Sequence, residues 1–516
     1  MRRFRRGLLA TLCAALTVLT LGGASSGPPP NAIHGSQLSW APLGLNTAPW
    51  DGDLSGQSGQ ALQPMLRKAG IGMLRFGGGS AADDYGWQNG ADVQHCPQGG
   101  SNAVVPALGA GGCVSGSTLG YGNFSASAAK LGASSFVTVN YGTGTPAEAG
   151  AWVKASATMP GRGVSLWEVG NETYGCWESD YWLQQPPASY AGYVPSAGQG
   201  ATQNPTCPQT SLGDVIGTQI MANSYAAHVG AFIQAMREAD KGAQIGVPWA
   251  FGSDVPGAAV PDSTEWNDTL LSEHSDDIGF VDAHYYPFNF TGSAGNGNPD
   301  DQQILQALRR VPSLYGEIRA TLSVYDPKAS VIVGETNVSS AETATVCRPL
   351  GALFAAGDAL SWLAAGAQSI DWWNTDNDGN TSGSCSNPDF GMFSSSSGGQ
   401  PPAPQTPYYG YQLASILARP DARLASLPTS DLNDVIAFQS ALPGGKTAVA
   451  FLNTDTSQTE HVTFQAPPGM SGSGHQLKTW TYSNSSPRVA TGSEDSSAVS
   501  GGITLAPESM TVLETS

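Results

Sequence analysis

Two stretches of this chain end in a carboxylate just where an apolar run stops: LWEVGNETY at 166–174, which carries Glu172, and VIVGETN at 331–337, which carries Glu335. Two such groups facing each other can divide the hydrolysis of a glycosidic bond between them. At a separation of about 5–5.5 Å, one attacks the anomeric carbon while the other serves as acid and then base, and configuration is retained. The roles demand different protonation: the acid must hold its proton near neutrality and the nucleophile must stay ionised. Arg75, at the end of MLRF in MLRFGGGS, supplies a cation to hold Glu335 ionised, so Glu335 is read as nucleophile and Glu172 as acid/base. The Asn171 amide, next to Glu172, suits a sugar hydroxyl. A lone Glu in such a position is ordinarily an ion-pair partner or a solvated loop carboxylate; the pair is what points to chemistry.

Further side chains qualify by position. His284 and Tyr286 in DAHYYP are placed to hydrogen-bond the nucleophile or a sugar hydroxyl, and Trp372 and Trp373 alternate faces, so one floors a sugar site while the other packs on helices. Asn140, Trp87 and Tyr85 are candidates for the pocket lining. Glu168 shares strand parity with Glu172 but lies deeper, where pairing with an interior cation is its expected role. NTDNDGN at 374–380 resembles a calcium loop but lacks the spacing and terminal Glu of one, and reads as a solvated turn. No metal site and no cofactor is expected.

These residues need elements to carry them. Eight short β-type runs, at 42–46, 72–76, 135–140, 165–171, 243–248, 278–284, 330–335 and 367–373, alternate with helical stretches such as AEAGAWVKASA and IMANSYAAHVGAFIQAMREAD. Eight βα repeats predict a (β/α)8 barrel over 40–415, whose chemistry sits on the loops after the strands. Long Gly-, Ser- and Pro-rich loops follow the second, fourth and eighth runs. Past 416 the texture changes to short alternating runs with turn residues between them, predicting an antiparallel β-sandwich to 516, to which 25–40 can add a strand.

Residues 1–24 combine early arginines, the apolar stretch LLATLCAALTVLTLGG and a small-residue end, the build of a secretory leader, so the mature chain is expected outside the cell. Its removal makes the net charge of −19 more negative by four arginines, which argues against nucleic acid as a partner. Six cysteines remain, an even number suited to an oxidising compartment. Proximity in the loops favours pairing Cys96 with Cys113, Cys176 with Cys207, and Cys347 with Cys385.

LWEVGNETYGCW, RFGGGSAADDYGWQNG, VNYGTGTPAEAGAWV and VDAHYYP together resemble the retaining glycoside hydrolases of clan A, most of all the α-L-arabinofuranosidase family with its barrel and C-terminal β-sandwich. The resemblance spans most of 43–373 in order and spacing. It implies Glu172 as acid/base, Asn171 on the sugar 2-hydroxyl, Glu335 as nucleophile, and a plant cell-wall polysaccharide or oligosaccharide as substrate. Two departures stand out: Gly77 where that family carries Pro, and Thr336 after the nucleophile where it carries Trp. GETN is nearer to the glucuronidase and heparanase relatives. The alternatives are accordingly a β-xylosidase, a β-glucuronidase or an endo-galactanase of the same clan, or a carbohydrate-binding protein on a disabled barrel. Scarce Lys and Arg favour a neutral sugar over a uronate.

Overall fold

The computed structural model describes residues 33, 35–83, 85–88, 119–159, 163–175, 178, 211–260, 263–290, 299–377, 389–396, 400–431, 433–467, 469–470 and 474–516. The leader and five of the six cysteines lie outside them, and with those cysteines the three expected pairings. Among the described residues no helix is long and apolar enough to cross a membrane.

A two-residue strand β1 (Ser36–Gln37) precedes eight parallel strands: β2 (Leu43–Thr47), β3 (Met73–Phe76), β4 (Ser134–Val139), β5 (Val164–Val169), β6 (Ile245–Trp249), β7 (Phe280–Tyr285), β8 (Ser330–Thr336) and β9 (Ser369–Trp372). They close into a barrel, β9 pairing back on β2 with Leu45 opposite Trp372. Each coincides with one of the eight β-type runs. The helices between them are α1 (Gly56–Lys68), α2 (Tyr121–Leu131), α3 (Pro146–Ser156), α4 (Ser211–Ala239), α5 (Ser263–His274), α6 (Asp301–Gln306), α7 (Val311–Tyr325) and α8 (Pro349–Ala365), with α9 (Thr406–Leu417) last. The stretch 301–322, helical throughout by its periodicity, breaks into α6, a short 3-10 turn and α7, which begins just before Pro312.

Strand parity sorts the barrel into layers. A floor of Ala41, Met73, Phe136, Leu166, Phe280 and Ile332 fills the inside at the N-terminal end. Two residues further along each strand the interior turns polar, with Arg75, Glu168 and Asp282, all fully buried. The opposite parity, Leu45, Phe76, Val137, Trp167, Val281 and Trp372 among others, packs on the helices.

The chain ends in a seven-stranded sheet, in the order β1, β10 (Arg423–Ser426), β11 (Val435–Ala441), β12 (Thr447–Asn453), β17 (Ser509–Thr515), β14 (Gln476–Ser483), β15 (Ser486–Asp495). A two-stranded ribbon of β13 (Glu460–Val462) and β16 (Ile503–Leu505) accompanies it. In β12 every residue is buried. Ala448, Ala450 and Leu452 join the barrel core, whereas Val449 and Phe451 join the apolar cluster of the sandwich. Helix α8 is buried along nearly its whole length.

Burial also makes the barrel pH-sensitive. Asp371, on β9, is wholly buried, and desolvation lifts its carboxyl to about 8, with Ser369 as its hydrogen-bond partner pulling the other way. The folded value lies above the unfolded one, so the stability its protonated form contributes is complete below about pH 4 and is lost as pH climbs toward 8. Asp371→Asn preserves the shape without the titration. Thermal melts from pH 5 to 8 should show this variant gaining on the wild type by up to about 1.4 kcal/mol per pH unit; parallel curves would contradict the assignment.

Candidate active site

The site stands on four strand ends. β5 finishes at Val169, and the backbone turns sharply over the next residues, with Glu172 itself at φ 44° in the left-handed region. Such a conformation is costly for a residue with a Cβ and is kept where neighbouring structure over-determines it. It aims Glu172 into the mouth, where its side chain is 12% exposed against 5% for Glu335. On β8 the pairing register slips between Val333 and Thr336, so Glu335 joins the interior face. Gly334 is required there: its N–H donates to Asp282 Oδ1 at 2.6 Å, and a Cβ would fall 2.2 Å from the other oxygen of that carboxylate.

Glu335 is surrounded by donors. Arg75 Nη1 donates to Oε1 at 2.7 Å, the Tyr286 hydroxyl to Oε2 at 2.7 Å, and the Gly79 N–H to Oε1 at 3.3 Å. Gly79 has φ +70°, and a Cβ on it would strike the Trp373 ring at 2.6 Å, so the glycine run lets backbone pass beneath that ring to reach the carboxylate. Burial and the charge of Glu335 hold the Tyr286 phenol well above its usual range, which keeps it a donor.

Glu172 accepts from the Tyr174 hydroxyl at 3.3 Å, and its Oε1 lies 2.9 Å from His284 Nδ1. The same nitrogen stands 3.4 Å from Glu335 Oε2, so His284 bridges the two acids, and one oxygen of each lies within 4.8 Å of the other. Burial opposes charge on His284, but Glu335, Asp282 and Glu172 together outweigh it and raise the imidazole well above the usual range.

Beneath them Arg75 is the hub. It is wholly buried and donates to Asn46 Oδ1 at 3.0 Å, Glu168 Oε2 at 2.7 Å and Asn171 Oδ1 at 3.1 Å, besides Glu335. Glu168 is therefore an interior ion-pair partner. With its oxygen fixed by Arg75, Asn171 points its Nδ2 at Glu178 Oε1, 3.2 Å away. Glu178, Asn46 and Asp282 escaped the sequence reading. Asn46 ends the first β run and Asp282 precedes His284 on interior parity, so strand position was the available signal; Glu178 lies in a loop and offered none.

Four expected pocket residues stand elsewhere. Asn140 spends its amide on its own turn, accepting from the N–H groups of Thr143 and Gly144 and donating to Thr143 Oγ1 at 2.8 Å. Trp87 stacks on Trp152 of α3 at 5.8 Å, in the aromatic layer that also holds Tyr85. Trp372 is fully buried on the outer parity against Phe354 and Tyr411. Its neighbour Trp373, joined to Asn374 by a cis peptide, faces the mouth instead. The start of NTDNDGN is likewise no solvated turn: Asn374, Thr375 and Asp376 are all buried.

No protein-family model matches this chain, and no curated protein does. Solved structures do. The α-L-arabinofuranosidase from Thermotoga maritima, in its arabinose complex, is 15% identical and aligns over 93% of this chain and 97% of its own, with a TM-score of 0.65. The chain carries the fold of these arabinofuranosidases. A family 51 α-L-arabinofuranosidase from Bifidobacterium longum gives 16%, 94%, 98% and 0.65 in the same order. A family 44 xyloglucanase from Paenibacillus polymyxa gives 12%, 93%, 97% and 0.58. The likeness includes the C-terminal sheet domain, since more than nine-tenths of each chain is aligned.

Proposed function

We propose that this protein is a secreted retaining glycoside hydrolase, with no metal in its bond-breaking chemistry, that releases α-L-arabinofuranosyl residues from plant cell-wall polysaccharide or oligosaccharides. One observation carries the proposal: Glu172 and Glu335 bring oxygens within 4.8 Å of each other across a barrel mouth. Oxygens that close support a double displacement over inversion, whose carboxyls stand about 6.5–9.5 Å apart. In the first step Glu335 attacks the anomeric carbon, its charge held by Arg75 and Tyr286, while Glu172 gives its proton to the departing oxygen. In the second, Glu172 takes a proton from water, which opens the glycosyl ester at Glu335. His284 touches both carboxylates and so couples their protonation. A neutral sugar fits because Arg75, the buried cation described at the site, is already engaged by carboxylates. The leader-like residues 1–24 and the even number of cysteines that follow them support export.

A panel of nitrophenyl glycosides tests the sugar. The α-L-arabinofuranoside should turn over, with the α-anomer appearing first by NMR. Activity confined to β-glucuronides or glucan oligosaccharides would displace the proposal toward another clan activity. Replacing Glu172 by Ala should slow natural arabinosides on the order of 10²- to 10⁴-fold. Nitrophenolate needs no proton to depart, so the aryl substrate should lose mainly the second step and accumulate glycosyl-enzyme, visible as a burst. Equal losses on both substrates would argue against Glu172 as acid.

Glu178 is a positioning residue for Asn171. Glu178→Ala is expected to lower kcat about 10- to 100-fold with folding intact, because the amide loses one of its two anchors. Glu178→Gln, which keeps an acceptor, should restore most of it. Identical kinetics for the two variants would remove the role.

A further inference from the structure

A second group of acids lies beside the site and takes no part in the mechanism above. Asp51 and Asp53 follow β2, Asp376 follows β9, and the closure of the barrel makes those strands neighbours. The loops are stitched together by Thr375, whose N–H and hydroxyl both donate to the Asn46 carbonyl, at 3.0 and 2.8 Å. One carboxylate oxygen from each of the three aspartates lies within 4.8 Å of the others, and the residues are only 1%, 7% and 1% exposed. Three carboxylates cannot be drawn out of water this close without compensation.

Some of it is supplied by hydrogen bonds at the back of each group. Asp51 Oδ1 accepts from Asp53 N–H at 2.8 Å, Asp53 Oδ2 from Ser396 N–H at 2.6 Å, and Asp376 Oδ1 from the Ser395 hydroxyl at 2.8 Å. The front is different. Asp51 Oδ2 is buried and accepts no hydrogen bond, and no described Lys, Arg or His pairs with Asp51. A buried oxygen that accepts no hydrogen bond, on a carboxyl crowded by two others, calls for a positive charge between them.

We propose that Asp51, Asp53 and Asp376 bind a calcium ion that clamps the loops after the first and last barrel strands. All three supply hard oxygen donors, close enough together to share one ion with bonds of about 2.4 Å. The ion sits behind the sugar site. Trp50, beside Asp51, meets Trp373 edge-on at 6.3 Å, and Trp373 covers the glycine run that reaches Glu335. Calcium thus fixes the wall that carries Trp373. The inference stands whether or not the sugar assignment does.

Terbium tests it on the full chain, because Tb³⁺ replaces calcium and emits when a nearby Trp is excited. After treatment with EGTA, added Tb³⁺ should give saturable sensitised emission that Ca²⁺ displaces, and Ca²⁺ alone should raise Tm. The double variant Asp51→Asn, Asp376→Asn should lose both responses, and Asp53→Asn should weaken Tb³⁺ at least about tenfold, with loss of one charged ligand. Emission that survives in the double variant would place the ion elsewhere and overturn the assignment. So would a wild-type Tm indifferent to both Ca²⁺ and EGTA. A third contrary result is Asp51→Asn more stable than wild type without calcium, together with silent terbium, which means that the acids share a proton instead. If the double variant does not fold, the wild-type displacement and the Asp53→Asn affinity still decide.

Discussion

Glu335→Gly should lose turnover of an aryl arabinofuranoside on the order of 10⁵- to 10⁶-fold, the scale seen when a catalytic nucleophile is removed, and sodium azide should restore a large part of it. The side chain leaves a gap at the point where it meets the anomeric carbon, and azide is small enough to enter it. Attack then comes from the face that Glu335 occupied and no second displacement follows, so the glycosyl azide has inverted configuration. Folding should survive, since Arg75 keeps Glu168 and Asp282 as partners after Glu335 is gone. The measurement is kcat/KM with and without azide, and NMR of the azide product. Near wild-type rates without azide would remove Glu335 from the nucleophile's role, and a product of retained configuration would assign the attack to another residue.

Arg75→Met should damage the fold itself. The guanidinium is fully buried, lies 5.2 Å above the centre of the Phe136 ring, and pairs with Glu168 and Glu335 at 2.7 Å and Asp282 at 3.7 Å. Removing one partner of a buried ion pair leaves uncompensated charge and typically costs about 3–5 kcal/mol. Here several acids are orphaned at once, so the upper end is expected, measured as a lower urea midpoint at unchanged slope. Arg75→Lys separates charge from shape. It restores a cation but not two nitrogens that serve Asn46 and Glu335 on one side, Glu168 and Asn171 on the other. Intermediate stability and poor activity are the expected result. A loss below about 1 kcal/mol for the Met variant would show that water or protonation compensates these acids without the arginine.

The barrel was legible because its signal is local. A parallel strand covered on both faces is mostly apolar, and each of the eight stood out as a short apolar run even where Arg75, Glu168, Asp282 or Asp371 interrupts it. The sheet domain was legible for β11, β12, β14 and β17, which alternate, but not for β15. Nearly all of that edge strand is exposed, and SPRVATGSED carries no period of two. It is a strand only because β14 pairs with it over most of its length.

Among site residues the distinction is the same. Glu172 and Glu335 were visible because a charged group at the end of an apolar run has nowhere to be but the rim. The choice between Trp372 and Trp373 was hidden, since parity needs one interior residue as anchor, and the anchor on β9 is Asp371, a type that ordinarily signals solvent. Asn140 stood at a strand end like Asn171. Its amide, however, is taken by Thr143 and Gly144, three and four residues on, whereas that of Asn171 is claimed by Arg75 from another strand.

By itself the sequence determined the order of strands and helices and the two acids at strand ends, for burial pattern and chain direction act over a few residues. Tertiary structure alone decided that these acids meet with His284 between them, that Trp373 and not Trp372 faces the mouth, and that Asp51, Asp53 and Asp376 share one buried point. Those are contacts between strands far apart in the chain, and they depend on how the barrel closes and on a slip of register at Gly334, neither of which any short stretch of residues encodes.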